Sequence, residues 1–305
     1  MVKAKRVILF GAGASFGSGA VYPSPPPLSA DLFDELRAAY PAAWGRIPQE
    51  KRSSFVPNFE PGMKMIFESG SHDSTALLRA LAHYFTQFRA NHGNAYVRLL
   101  EHLEGHGVLP GILFSSLNYE CVLETAARHY GFPLVSYFDH EATTKDAIAV
   151  WKIHGSCNFL PNSVVGGAGV VSFAANAVSW DGAARLVDPS EARRFIEASA
   201  FYPAMAVFME GKPIQSNPSL VRNLQQRWAT AVRGAECVGI IGVAPNVADA
   251  HLWQPLAETN ARIVVIGDKS AYSKWADEHR GSKETNIVGS KFDAALSAFA
   301  KAIAA

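Results

Sequence analysis

Five short runs constrain this chain more than any other feature. Residues 6–10, 111–115, 148–153, 237–241 and 262–266 are apolar, rich in β-branched side chains, and free of apolar–polar alternation. A strand with one wet face alternates; a strand covered on both faces does not. The runs therefore read as strands of a parallel sheet held between helical layers. Helical patterns separate them. Leu77, Leu78, Leu81, Phe85 and Phe88 share one face of a helix over about 74–90, and 118–130, 219–233, 248–260 and 291–304 also read as helices. This alternation predicts an α/β fold with a Rossmann-like, doubly wound, mostly parallel sheet.

Two stretches break the rhythm. Residues 41–74 mix Pro, Gly and charge, and helices follow with no evident strand, so 29–107 is expected to form a helical insertion or cap. Residues 161–179 are rich in Gly, Ala, Asn and Ser and are expected to form a mobile loop over the sheet edge. The whole of 1–305 is then one domain, a length that buries a large core without disulfides or metals.

The function classes narrow with composition. Lys plus Arg number 28 and Asp plus Glu 27, which gives no electrostatic footprint for nucleic acid or anionic lipid. No direct nucleic-acid binding and no membrane association are expected. The early apolar run stops after four residues at Gly11, too short for a signal peptide, and no stretch approaches the roughly 18 apolar residues of a span. Cys121, Cys157 and Cys237 form no C-x-x-C, so neither a disulfide framework nor a paired-cysteine zinc site is expected, and a cytoplasmic location fits. His102 and His106 are one helical turn apart, but the zinc-protease pattern needs Glu at position 103, where Leu stands. They read as surface histidines, and no metal is expected.

Chemistry-bearing residues cluster where the strands end. Gly11-Ala12-Gly13-Ala14-Ser15 follows the first strand. Glycines there allow backbone to approach a pyrophosphate, or simply make a tight turn. The dehydrogenase pattern G-x-G-x-x-G fails at Phe16, and no second strand ends in an acid; Asp31 sits at a helix start. Hydride transfer is therefore disfavoured. Asn118 follows the 111–115 strand, where it either reaches a ligand crevice or caps the next helix. His154 follows the 148–153 strand and is either a general base or a structural histidine. Gly242 and Val243 end the fourth strand, and Asp268 follows the fifth, where it accepts from an adenine or ribose or caps the next helix.

In this order, the motifs resemble those of the sirtuin fold family. Gly11-Ala12-Gly13-Ala14-Ser15 is similar to its nucleotide loop, Leu117-Asn118-Tyr119-Glu120 to its Asn-containing motif, Lys152-Ile153-His154-Gly155-Ser156 to its Leu-His-Gly motif, and Gly242-Val243-Ala244 to its ribose segment. The four-cysteine zinc module of the protein-deacylating members is missing, Tyr22-Pro23-Ser24-Pro25 stands where their Ile-Pro-x-Phe-Arg continuation lies, and Glu120 replaces the usual Asp. These departures resemble the bacterial sirtuin-like NADases of anti-phage defence.

That resemblance implies an NAD+ glycohydrolase, the toxic effector of an abortive-infection system, with NAD+ as substrate and no zinc. Asn118 and His154 are then the catalytic pair, and Gly11, Ala12, Gly13, Ser15, Gly242, Val243 and Asp268 bind the dinucleotide, the pyrophosphate lying on loop amides and the Ser15 hydroxyl. It further implies a homo-oligomer or a complex with a helicase-type ATPase or an Argonaute-like protein, weakly active alone. Two alternatives stay open: a non-catalytic sensor of NAD+ or ADP-ribose, and an NAD-dependent deacylase or ADP-ribosyltransferase.

Overall fold

A computed structural model describes residues 4–56, 58–70, 73–137, 143–162, 170–174, 177–207, 214, 216–246 and 249–305. The chain starts with β1 (Arg6–Phe10), α1 (Ala12–Phe16), β2 (Val21–Tyr22) and α2 (Ser29–Ala39). Two 3-10 segments, Trp44–Arg46 and Gln49–Phe55, lead to α3 (Phe59–Ser69), α4 (Ser74–Phe85), β3 (Arg89–Ala90) and α5 (Ala95–Gly105). The middle of the chain holds β4 (Ile112–Ser116), α6 (Val122–Tyr130), β5 (Leu134–Ser136), β6 (Ala147–Lys152) and β7 (Phe159–Pro161). Next come β8 (Val170–Ala174), β9 (Ala177–Asp181), β10 (Ala184–Leu186), α7 (Pro189–Ala198) and α8 (Pro218–Gly234). The chain closes with β11 (Cys237–Ile241), α9 (Ala250–Glu258), β12 (Arg262–Ile266), α10 (Lys269–His279), β13 (Thr285–Gly289) and α11 (Phe292–Ala304).

Seven strands form the main sheet in the order β13-β12-β11-β1-β4-β6-β5, and all their pairings are parallel. The architecture is α/β and Rossmann-like. Side chains alternate between two cores because strand residues alternate faces. Ile8 and Phe10 join the core that α5, α11 and the early helices cover, while Val7 and Leu9 join the core beneath α8, α9 and α10. Both faces are dry, which explains the unbroken apolar runs.

The position of β1 decides where a ligand can bind. From β1 the chain builds outward through β4 to β6 and β5 on one side, then through β11, β12 and β13 on the other. The order reverses at β1, and in open α/β sheets the crevice lies beyond the carboxyl ends of the strands at such a reversal. Register makes those ends level. Phe10 pairs with Ser116 and Ile241, Ser116 with Lys152, and Ile241 with Ile266. The residues that follow therefore leave the sheet along one edge.

Between β1 and β4 the described residues give four α-helices longer than two turns, two 3-10 segments and a small antiparallel pair, β2 with β3. None of these strands joins the main sheet. An aromatic cluster organises the region: Phe33 stacks on Phe55 with ring centroids 4.3 Å apart, and Trp44 and Phe59 both meet Phe55 edge-on. Of the expected loop at 161–179, residues 163–169 and 175–176 lie outside the described residues; β8 and β9 pair as an antiparallel hairpin there. Among the described residues no helix is long and apolar enough to cross a membrane.

Candidate functional site

A cavity of about 630 Å³ opens at the level edge of the sheet. Gly11, Ala12, Gly13, Ser15, Asn118, His154, Gly242, Val243 and Asp268 all line it. Five strand ends, those of β1, β4, β6, β11 and β12, supply its polar wall, and α2, with the prolines before it, supplies an apolar side through Pro26, Pro27 and Leu32. The volume lies within the usual range for a small-molecule or cofactor site.

The glycines serve a close approach between two loops. Gly13 N donates to Gly242 O at 3.0 Å, and Gly11 N donates to Ile241 O at 3.0 Å. A Cβ on Gly11 would lie 2.6 Å from Gly242 O, and one on Gly13 would lie 3.0 Å from it. Gly242 itself has φ +65°, and a side chain there would collide with Ala14 N. The β1 and β11 loops are thus interlocked backbone on backbone. The amides of Gly11 and Gly13, expected to face a pyrophosphate, are engaged inside the protein.

Asn118 is held by a network rather than used as a cap. Helix α6 starts only at Val122, whose N–H donates to Glu120 Oε2 at 2.5 Å. Asn118 Nδ2 donates to Gly11 O at 3.1 Å and to Ser15 Oγ at 2.9 Å. Because Gly11 O can only accept, the amide orientation is fixed, and Oδ1 is the acceptor that remains for a ligand. The Ser15 hydroxyl donates to Glu120 Oε1 at 2.6 Å and lies 2.9 Å from Tyr96 OH. Its single proton is therefore directed at Glu120. Burial, then the neighbouring Glu120 charge, pushes the Tyr96 phenol well above its ordinary value, so it stays protonated.

His154 stands two residues beyond β6 and is 5% exposed. Its carbonyl accepts from Ala206 N at 2.8 Å. Gly155 follows with φ +80°, where a side chain would collide with Ala204 O. That turn aims His154 at the edge. His154 Nε2 lies 2.9 Å from His251 Nε2. On the rim, Asp268 caps α10 by accepting from Ala271 N at 2.7 Å, and Val243 O accepts from Tyr272 OH at 2.7 Å.

Behind this wall sits a second polar group that the sequence does not announce. Lys152 Nζ donates to Glu120 O at 2.5 Å and pairs with Glu124 Oε1 at 3.1 Å, both side chains being 1% exposed. Burial pulls the Lys152 ammonium down, but Glu124, Cys121 and Glu120 outweigh it and hold its pKa above the usual lysine value. Cys121 and Cys157, far apart in sequence, bring their sulfurs to 3.9 Å. The hydrogen bond to Cys157, followed by burial, pushes the Cys121 thiol well up. Cys237 lies elsewhere, on β11. Among the described residues no three His, Cys, Asp or Glu side chains gather as a metal site, and His102 and His106 are exposed around the end of α5.

Glu120, Tyr96, Lys152, Glu124 and His251 were not singled out as site residues by sequence reasoning. Glu120 carries a usable signal, an acid two residues after Asn118. The others come from different elements, and only the fold brings them together.

No protein-family model matches the chain, and no curated protein does. Solved structures similar to it include a Sir2 enzyme at 12% identity, covering 99% of this chain and 92% of that one, with a TM-score of 0.43. A Sir2 homologue in complex with ADP-ribose is 15% identical, covering 98% of this chain and 91% of that one, with a TM-score of 0.44. A Sir2 bound to the inhibitor EX-527, 2′-O-acetyl-ADP-ribose and a deacetylated p53 peptide is 13% identical, covering 98% and 91%, with a TM-score of 0.42.

Proposed function

We propose that the chain is an NAD+ glycohydrolase that cleaves the nicotinamide–ribosyl bond to give nicotinamide and ADP-ribose. One observation carries this reading: Asn118 and His154, from two different strand ends, share the wall of one cavity with the interlocked Gly11 and Gly242 loops. In the reaction, the C1′–N bond breaks with its electron pair leaving on the nicotinamide nitrogen. A water oxygen forms the new bond to C1′ and gives its proton to His154. A loose, cationic sugar needs orientation and electrostatic support more than a strong nucleophile. Asn118 Oδ1, fixed by the two donations of Nδ2, orients the water or a ribose hydroxyl. His154 acts as general base. The adenosine half lies along Val243 and Asp268, with Gly242 allowing close approach. Ser15 acts on Asn118 rather than on phosphate.

The same reading makes the protein the effector of an anti-phage system that depletes NAD+, assembled as an oligomer or with a helicase-type or Argonaute-like partner. The order of the four motifs and the missing four-cysteine module support this finer assignment. The test is direct. Purified protein, alone and after assembly, is incubated with NAD+, with and without an acyl-lysine peptide. Equal amounts of nicotinamide and ADP-ribose without peptide support the proposal. Cleavage only with peptide makes it a deacylase, and binding without cleavage makes it a sensor.

A further inference from the structure

We infer that His251 is a positioning residue for His154 and that the two imidazoles act as one base carrying a single extra proton. This rests on the proposed NAD+ cleavage for its kinetic consequences, while the pairing itself stands on geometry. The two Nε2 atoms are 2.9 Å apart, the ring centroids 5.1 Å apart and the ring planes 51° from each other. His154 is on the cavity wall; His251, half-buried at the start of α9, is not among its lining residues. Among the described residues His251 meets the cavity wall through its contact with His154.

An imidazole–imidazole contact at that distance holds one proton between the nitrogens. Two N–H groups cannot face each other there, so both rings are not protonated on Nε2 at once. When His154 donates Nε2–H and His251 accepts it, the lone pair of His154 is on Nδ1. That tautomer takes the proton of the attacking water on Nδ1. The resulting imidazolium keeps Nε2–H on His251, whose lone pair stabilises the new charge without taking it. A second positive charge is opposed by the first, so the pair titrates as a unit. Among the described residues the other ionisable groups on the cavity wall are Tyr119, Glu120, Asp249, Asp268 and Tyr272, and they set the field around the pair.

The experiment uses full-length protein labelled with 15N-histidine, with His154→Gln identifying the His154 ring signals. In wild-type protein at pH above 7, His154 is expected as one tautomer with the proton on Nε2. His251→Leu should give a mixture of tautomers. His251→Gln, whose amide oxygen can accept the same proton, should restore the single form. In NAD+ cleavage, His251→Leu should lower kcat by about 10- to 100-fold with KM changed little, the range expected when a catalytic group loses its orientation. It should also move the acidic limb of the pH–rate profile, and His251→Gln should recover most of kcat. A wild-type His154 present as both tautomers, or a folded His251→Leu protein with unchanged tautomer and pH profile, overturns the pairing. If wild-type protein cleaves no NAD+, the enzymatic reading fails while the spectra still decide the pairing. If His251→Leu does not fold, the wild-type and His251→Gln spectra decide it alone.

Discussion

Two polar clusters lie back to back at the carboxyl ends of β4 and β6, and they are built oppositely. The front cluster, Ser15, Asn118, Glu120 and His154, lines the 630 Å³ cavity and keeps an amide oxygen and an imidazole at its wall. The rear cluster, Lys152, Glu124, Cys121 and Cys157, is closed off from solvent. The Lys152 ammonium meets a Glu124 carboxylate oxygen at 3.1 Å. Glu120 joins them: its carboxylate faces Ser15 and its carbonyl accepts from Lys152. The contrast separates two uses of buried polarity. In the proposed reaction the front supplies the chemistry; the rear ties the strand end that carries His154 to the loop that carries Asn118.

If that division is right, the front breaks activity without stability. His154→Ala and Asn118→Ala should each slow NAD+ cleavage by about 10²- to 10⁴-fold, the usual worth of a general base or its equivalent. Their denaturation midpoints should stay near wild type. A variant that kept wild-type turnover would remove that residue from the mechanism.

The rear should behave in reverse. Lys152→Met leaves Glu124 buried without its counter-charge, a change that typically costs about 3–5 kcal/mol. Urea unfolding measures it. Adding Glu124→Leu should recover most of the loss, because apolar replacement of a whole buried pair is often neutral. A double variant no more stable than the single one would show that the pair is not the source of the loss.

Gly242→Ala tests the interlock between the two. Its φ of +65° and the collision with Ala14 N predict a loss of about 1–3 kcal/mol, together with weaker nucleotide binding. Wild-type stability and affinity in this variant would mean that the β1 and β11 loops can separate freely.

The smallest effect is one of pH. Burial pushes the phenols of Tyr119 and Tyr272 above their ordinary value of about 10. The folded chain then keeps protons that the unfolded chain releases, so stability should fall as pH rises above about 10. Lys152, also raised, acts with the same sign. An unchanged urea midpoint between pH 9 and pH 11 would contradict this.

Much of the architecture was legible because strands dry on both faces leave unbroken apolar runs, and because small and polar residues mark where such strands stop. Strand limits shifted by a residue, with Ser116 carrying the pairing to Lys152. The start of α6 moved further, since Glu120 caps Val122 and leaves 118–121 outside the helix. What stayed hidden depends on distant partners. Nothing near position 251 marks it as a neighbour of position 154, and nothing in Gly11-Ala12-Gly13 shows that its amides meet the β11 loop.

The proposed function needs this one cavity to hold the dinucleotide, and a crystal structure of the chain with ADP-ribose tests that most directly. The ligand should lie in the cavity, with the ribose that has lost nicotinamide within hydrogen-bond reach of Asn118 Oδ1 and His154, and with the adenosine beside Val243 and Asp268. ADP-ribose bound elsewhere, or a cavity that stays empty at millimolar ligand, would contradict it.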